Sequence, residues 1–158
     1  MLSALRGRRA PILLDSAAPG PARFSILGFD PLEGVGEPPE TLAGLRAYLE
    51  ELHFEAGDPV PGPFHGGFLG ALSYELGVAG EEPVSVTPDP WNAPRIAGGL
   101  YTDFLVHDHV SGRLGLVLGE RPGDGRPPLE ERRRSLEELL GGSAAPGPVV
   151  PVALSSVL

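Results

Sequence analysis

The apolar positions fall into short runs broken by Gly and Pro, and the runs repeat with period two more often than with the helical period. "PILLDS" (11–16) reads as a short strand bounded by Pro, and "AAPGPA" (17–22) has the residues of a turn. "RFSILGFD" (23–30) reads as a second strand, with Phe24 and Ile26 on one face and Ser25, Leu27 and Phe29 on the other. So close in sequence, the two predict an antiparallel hairpin. In "PPETLAGLRAYLEELHF" (38–54), Leu42, Leu45, Leu49 and Leu52 fall at helical spacing behind a proline entrance, which predicts a helix.

After a loop over 55–63, "FHGGFLGALSYELG" (64–77) predicts a strand whose glycines allow close backbone approach, with a short helix around "SYELG". A long irregular connection (78–94) leads to "GGLYTDFLVHDH" (98–109), a turn at "VSG" and "RLGLVL" (113–118), a second predicted hairpin. Its first strand would carry Leu100, Phe104 and Val106 on one face, and Tyr101, Asp103, Leu105, His107 and His109 on the other. "PPLEERRRSLEELL" (127–140) predicts a helix with Leu129, Leu136 and Leu140 on its buried side. The tail begins as a Gly/Pro linker and turns apolar at its end. Hairpins dominate this order, so the expected fold class is α+β: a mostly antiparallel sheet covered by helices on one side.

Composition narrows the picture. A chain of 158 residues suits one domain, able to bury roughly 70% of its unfolded surface. The 23 glycines and 19 prolines are loop-forming, but they cluster between the apolar runs, as in a folded, loop-rich domain. Net charge is −9 with a pI near 4.8, and no basic stripe offers a footprint for nucleic acid. All twelve basic residues are arginine, which excludes a lysine Schiff base and a P-loop lysine. The absence of cysteine excludes disulfides, thiolate metal sites and a cysteine nucleophile. No apolar run approaches the roughly 20 residues of a membrane-spanning helix. "MLSALRGRRAPILL" lacks the h-region of a signal peptide, so a cytoplasmic location is expected, with no membrane partner.

Candidate chemistry is sparse. "HDH" (107–109) puts two imidazoles on one strand face, but only Asp103 stands near as a third metal ligand, so a solvated strand end is the better reading and no metal site is assigned. "GGFLG" (66–70) fits neither phosphate-loop spacing. Glu81, Glu82 and Asp89 read as surface carboxylates, and Ser16 lacks a nucleophile elbow. "ILLDS" stands out. Asp15 offers an anion to an ammonium, and the Ser16 hydroxyl can serve a carboxylate or an amine. Arg23, across the hairpin, can hold a carboxylate or simply pair with Asp15. A free amino acid needs that mixture beside an apolar wall.

"PILLDSA" followed by "ARFSILGFDP", then "PFHGGFLGALSYELG", then "GLYTDFLVHDHVSGRLGLV" resemble, in order and approximate spacing, three blocks of one family. It is the N-terminal domain of the large subunits (component I) of anthranilate synthase and aminodeoxychorismate synthase, and the resemblance covers residues 11–118. It implies half of that family's larger β-sandwich flanked by helices. It also implies an amino-acid (tryptophan-type) pocket to which Leu14, Asp15 and Ser16 contribute, with Arg23, Phe24 and Ser25 as further wall residues. No catalytic residue is assigned to this chain: the family's chorismate chemistry and magnesium belong to a C-terminal chorismate-binding domain. On this reading residues 1–141 are the N-terminal domain, and 142–158 are a linker and the start of the junction to that absent domain. The chain would be a fragment, also beginning late enough to omit an edge strand. Implied partners are the C-terminal domain, a glutamine amidotransferase subunit and tryptophan. "LLDS" with "SYELG" leans towards the aminodeoxychorismate (folate) branch over the anthranilate (tryptophan) branch. The alternatives are a stand-alone amino-acid-binding regulatory module and a scaffold with a vestigial pocket.

Overall fold

The computed structural model describes residues 5, 7–16, 23–32, 41–50, 52–56, 62–74, 76, 90, 93–121, 123–141 and 150–156. The fold is α+β, with eight strands and two helices among these residues. Strands β1 (Ile12–Leu14), β2 (Phe24–Gly28), β6 (Phe104–Asp108), β7 (Arg113–Glu120), β8 (Val150–Ser156) and β3 (Leu52–Ala56) form a six-stranded sheet in that spatial order. Strands β4 (Gly67–Leu72) and β5 (Ile96–Tyr101) form a separate antiparallel ribbon.

The two predicted hairpin pairs are present. β1 pairs antiparallel with β2, and β6 with β7. β2 and β6 then pair in the register Phe24↔Asp108 to Gly28↔Phe104, so the start of β2 meets the end of β6. One connection is a crossover. β7 and β8 are parallel, and helix α2 (Leu129–Leu139) lies between them in sequence, as a parallel pair requires. The tail therefore supplies a strand: residues 150–156 sit between β7 and β3.

Alternation of side chains assigns the layers. Leu27, Phe29, Leu105, Leu116 and Leu118 pack with Leu136 of α2, against one face of the large sheet. Ile26, Phe104, Val106 and Val117 pack on the opposite face with Leu69 and Tyr101 of the ribbon. The ribbon's other face, through Phe68, Ile96 and Leu100, meets Leu45, Tyr48 and Leu49 of helix α1 (Leu42–Glu50). The expected close approach occurs at the cross-strand pair Gly70–Gly98. A Cβ on Gly70 would lie 2.3 Å from the Ala97 carbonyl oxygen, and the Phe68 ring covers the pair.

Two expected elements differ. The helix expected over 38–54 is shorter: it runs from Leu42 to Glu50 behind Thr41, whose hydroxyl accepts the Gly44 N–H at 3.1 Å. Residues 38–40 lie outside the described residues, and "LHFEA" is strand β3, paired with β8. Leu52 fits the helical stripe by spacing alone, and a strand partner far along the sequence overrides it. The strand expected over 98–109 is two strands in two sheets, because the chain changes layer at Thr102–Asp103. There the Asp103 carbonyl accepts the Phe29 N–H at 3.3 Å, and its side chain leaves the ladder for a buried ionic network. Glu81, Glu82 and Asp89 lie outside the described residues.

Candidate functional site

The register of β2 on β6 gathers most of the predicted pocket residues at one end of the large sheet. β1 is the edge strand, and it leaves Leu13 and Leu14 more than two-fifths exposed. Just beyond it, Asp15 and Ser16 turn towards Ser25. The Ser25 hydroxyl donates to Asp15 Oδ1 at 2.6 Å and accepts the Ser16 backbone N–H at 3.1 Å. His109 Nε2 lies 2.7 Å from the same oxygen. A hydroxyl has one proton to give and two lone pairs. With the proton on Asp15 and one lone pair on Ser16, the remaining lone pair requires His109 to donate from Nε2. The ring of His107 stands edge-on to that of His109, 4.5 Å between centroids.

Serine, histidine and aspartate together invite comparison with a hydrolytic triad, and the connectivity answers it. In a triad the serine donates to histidine and the histidine to the carboxylate. Here serine sits in the middle, donates to the carboxylate and accepts from histidine. Ser25 is a positioning residue: it fixes the carboxylate of Asp15 and the backbone of Ser16.

Arg23 does not pair with Asp15. Its Nε and Nη2 donate to the two carboxylate oxygens of Asp108, at 2.8 and 2.6 Å, and its guanidinium lies 4.9 Å from the centre of the Phe24 ring. Phe24 in turn packs on the core formed by Ile26 and Val106. Asp108 also accepts the Val110 N–H at 3.0 Å and the Ser111 hydroxyl at 2.8 Å, which closes the β6–β7 turn. The Arg23 hydrogen bond holds the Asp108 carboxyl well below the usual carboxylate range, and the same bond raises Arg23. The structure thus brings Asp15, Ser16 and Ser25 into contact, with Leu14 exposed beside them, and commits Arg23 to the turn.

Sequence reasoning missed His109 as a partner of Ser25 and Asp108 as the partner of Arg23. The signal was present as "HDH" at a strand end, but only the β2–β6 register shows what it faces. It also missed a second polar cluster at the far end of β6. Asp103, only 3% exposed, accepts from Arg132 Nη1, from Arg126 Nη1 at 3.1 Å and from the Gly119 N–H at 3.2 Å. Both arginines also donate to the Gly119 carbonyl at 2.8 Å, and Arg126 Nε donates to Asp124 at 2.7 Å. Gly119 must be glycine for this: a Cβ there would lie 2.4 Å from the Thr102 Cβ. Arg132 shares a helix face with Leu129 and Leu136, a placement hidden by its neighbours Arg133 and Arg134. Among the described residues, no group of three or more His, Cys, Asp or Glu is placed to hold a metal ion.

This arrangement of hairpin sheet, ribbon and flanking helices belongs to a chain that matches the N-terminal domain of the anthranilate synthase component 1 family. Two relatives carry the match. Anthranilate synthase component 1 of Streptomyces coelicolor is 38% identical over 120 residues, 72% of this chain and 22% of that protein. Anthranilate synthase component 1 of Arthrobacter globiformis is 29% identical over 131 residues, 71% of this chain and 24% of that protein. The chain thus spans under a quarter of the length of either relative. No family model matches the chain, and no solved structure matches it. The sequence lean towards the aminodeoxychorismate branch is corrected here: both relatives are named for anthranilate synthesis, and they favour that branch.

Proposed function

We propose that this chain is a non-catalytic N-terminal domain of a chorismate-utilising synthase of the anthranilate type, a cytoplasmic protein, and that it supports the enzyme and contributes one wall of an amino-acid pocket. The observation that carries the reading is the Ser25-centred arrangement at the β1 edge. It holds the Asp15 carboxylate in place to receive an ammonium, sets Ser16 beside it and leaves Leu14 as an apolar neighbour. The similarity to two anthranilate synthase components over more than two-thirds of the chain supports the parent activity. In that parent, a C-terminal chorismate-binding domain with magnesium does the chemistry, and a glutamine amidotransferase subunit supplies ammonia. Tryptophan is the amino acid that suits the pocket, as the end product of that branch.

Two measurements test the reading. The chain, given chorismate, ammonia and magnesium, should form no product; turnover would overturn the non-catalytic role. Tryptophan at millimolar concentration should shift the amide resonances of Asp15 and Ser16, and Ser16→Ala should weaken that binding by about tenfold, the worth of one good hydrogen bond. Binding should be weak in the chain alone, because the other wall belongs to the catalytic domain. Unchanged affinity in Ser16→Ala would remove Ser16 from the pocket.

A further inference from the structure

The Asp15 carboxylate is linked through one hydroxyl to two imidazoles. The register of β2 on β6 sets His107 opposite Ser25, and the chain just beyond β6 brings His109 to the same serine, with Nε2 2.7 Å from Ser25 Oγ. The two rings meet edge to face, 4.5 Å between centroids. Ser25 Oγ in turn stands 2.6 Å from Asp15 Oδ1. Laid end to end, the two bonds keep His109 Nε2 within roughly 5 Å of Asp15 Oδ1.

The groups facing the pair from each element are few. On β6, Asp108 lies between the two histidines in sequence and is gripped by Arg23 of the segment entering β2. The Arg23 carbonyl also accepts the His109 N–H at 2.9 Å. In the turn after β6, the Ser111 hydroxyl donates to Asp108. On β7, Leu114 stands opposite His107, and the exposed Arg113 opposite Asp108. Beyond β1 comes Asp15, whose hydrogen bond is to Ser25 and not to an arginine. Imidazole is the side chain whose charge ordinarily changes between pH 5 and 8, while arginine and carboxylates ordinarily keep theirs across that window.

We propose that the His107–His109 pair is a proton-operated control on the amino-acid site, and that a proton taken up there weakens the hold of Asp15 on a ligand's ammonium group. The inference rests on the pocket reading above, in which Asp15 receives that group. Two effects act in the same direction. The first is charge: an imidazolium within roughly 5 Å of the carboxylate offsets it and repels the incoming cation. The second is the single proton of Ser25. A neutral His109 can carry its own proton on Nδ1, and Nε2 then accepts from Ser25 and leaves the Asp15 oxygens to a ligand. A charged ring carries both protons, so Nε2 can only donate and Ser25 stays turned towards Asp15. The ring contact opposes a charge on both histidines at once, so the pair takes up its first proton as a unit.

Tryptophan titrations of the 158-residue chain at pH 7.5 and pH 5.5, followed by the Asp15 and Ser16 amide resonances, test this. Affinity is expected to fall by about fivefold or more at the lower pH, the effect of one unit charge at that distance in a largely aqueous setting. Indole-3-propionate, which lacks the ammonium, should bind no more weakly at pH 5.5 than at pH 7.5. In the double variant His107→Gln and His109→Gln, whose amides can donate but cannot take up a proton, tryptophan should bind equally at both pH values. His109→Gln alone, at the exposed ring, should remove most of the drop and leaves the fold least disturbed. Thermal unfolding at each pH shows which chains are folded. Equal wild-type affinity at the two pH values, or a drop that persists in the folded variants, overturns the control and leaves the pocket standing. If tryptophan moves neither Asp15 nor Ser16 at pH 7.5, the pocket itself is overturned, and the control with it.

Discussion

Strand β6 has an aspartate at each end, and the two show how differently one ion-pair chemistry behaves with depth. Asp103 stands at the entry to the strand, buried, and shared by two nearly buried guanidiniums. Asp108 ends the strand beside solvent, gripped by the half-exposed Arg23. In the first place, charges have been taken out of water and persist only because every oxygen finds a donor. In the second, water and salt screen the attraction, and geometry does more than energy: the pair fixes the turn and the edge on which the candidate pocket sits. The buried end is the structural anchor, locking the loop before α2 to the β5–β6 corner. The exposed end is where recognition residues can afford to sit.

The largest effect should follow from breaking the buried end. Asp103→Ala leaves Arg126 and Arg132 facing each other without their shared carboxylate, a loss of about 3–5 kcal/mol. Against a typical domain stability of roughly 5–15 kcal/mol, that is enough to unfold much of the population. Urea unfolding followed by circular dichroism measures it. Adding Arg132→Met to the variant should recover part of the loss by removing one stranded cation; a loss below about 1 kcal/mol in Asp103→Ala would erase the distinction between the two ends.

A middle-sized effect should come from Ser25→Ala. Ser25 is nearly buried and links Asp15, Ser16 and His109 through one oxygen. Its removal should cost about 1–3 kcal/mol, the range for stranding partly buried polar groups. It should also broaden the amide resonances of Asp15 and Ser16 while leaving those of Thr102 and Gly119, at the other end of the sheet, in place. Uniform changes at both ends would mean that the two clusters are not independent.

How much of this was legible in the sequence divides along the same line. The hairpins were legible because each is local: the β1–β2 and β6–β7 pairs need only a turn and two alternating runs. The faces of β2 were legible too, since Phe24 with Ile26 and Leu27 with Phe29 take opposite sides of the sheet. Strand β3 was not, because its partner β8 lies about a hundred residues away, and a leucine at helical spacing spoke louder locally. Leu14, Asp15, Ser16 and Ser25 were named as candidates and are found together. Of the two roles open to Arg23, a ligand carboxylate or a pair with Asp15, the structure shows neither: it pairs with Asp108, a partner that only the register of β2 on β6 reveals. The Asp103 network was illegible because its members lie far apart in sequence: one aspartate falls inside what reads as a single strand, and one arginine hides in a run of three.

The smallest effect, and the sharpest on the comparison, should come from Asp108→Asn. The folded-state pKa of Asp108 lies below its unfolded value, about 3.9, because Arg23 first, and then Ser111 and the Val110 N–H, favour its ionised form. Below that value the unfolded chain binds the extra proton and the folded chain does not, so stability rises with pH across this window. The contribution of Asp108 is therefore whole above about pH 4 and drains away as the pH falls further. Measured by urea unfolding, wild type and Asp108→Asn should differ slightly at pH 6 and converge as the pH drops below about 4. Added salt should narrow the gap at pH 6, since Arg23 is half exposed. Asp103→Ala should keep its deficit at high salt, because ions do not reach a buried pair. A gap for Asp108→Asn that ignored both pH and salt would mean that its carboxylate acts by shape in the turn and not by charge, and the contrast between the two ends of β6 would have to be drawn on packing alone.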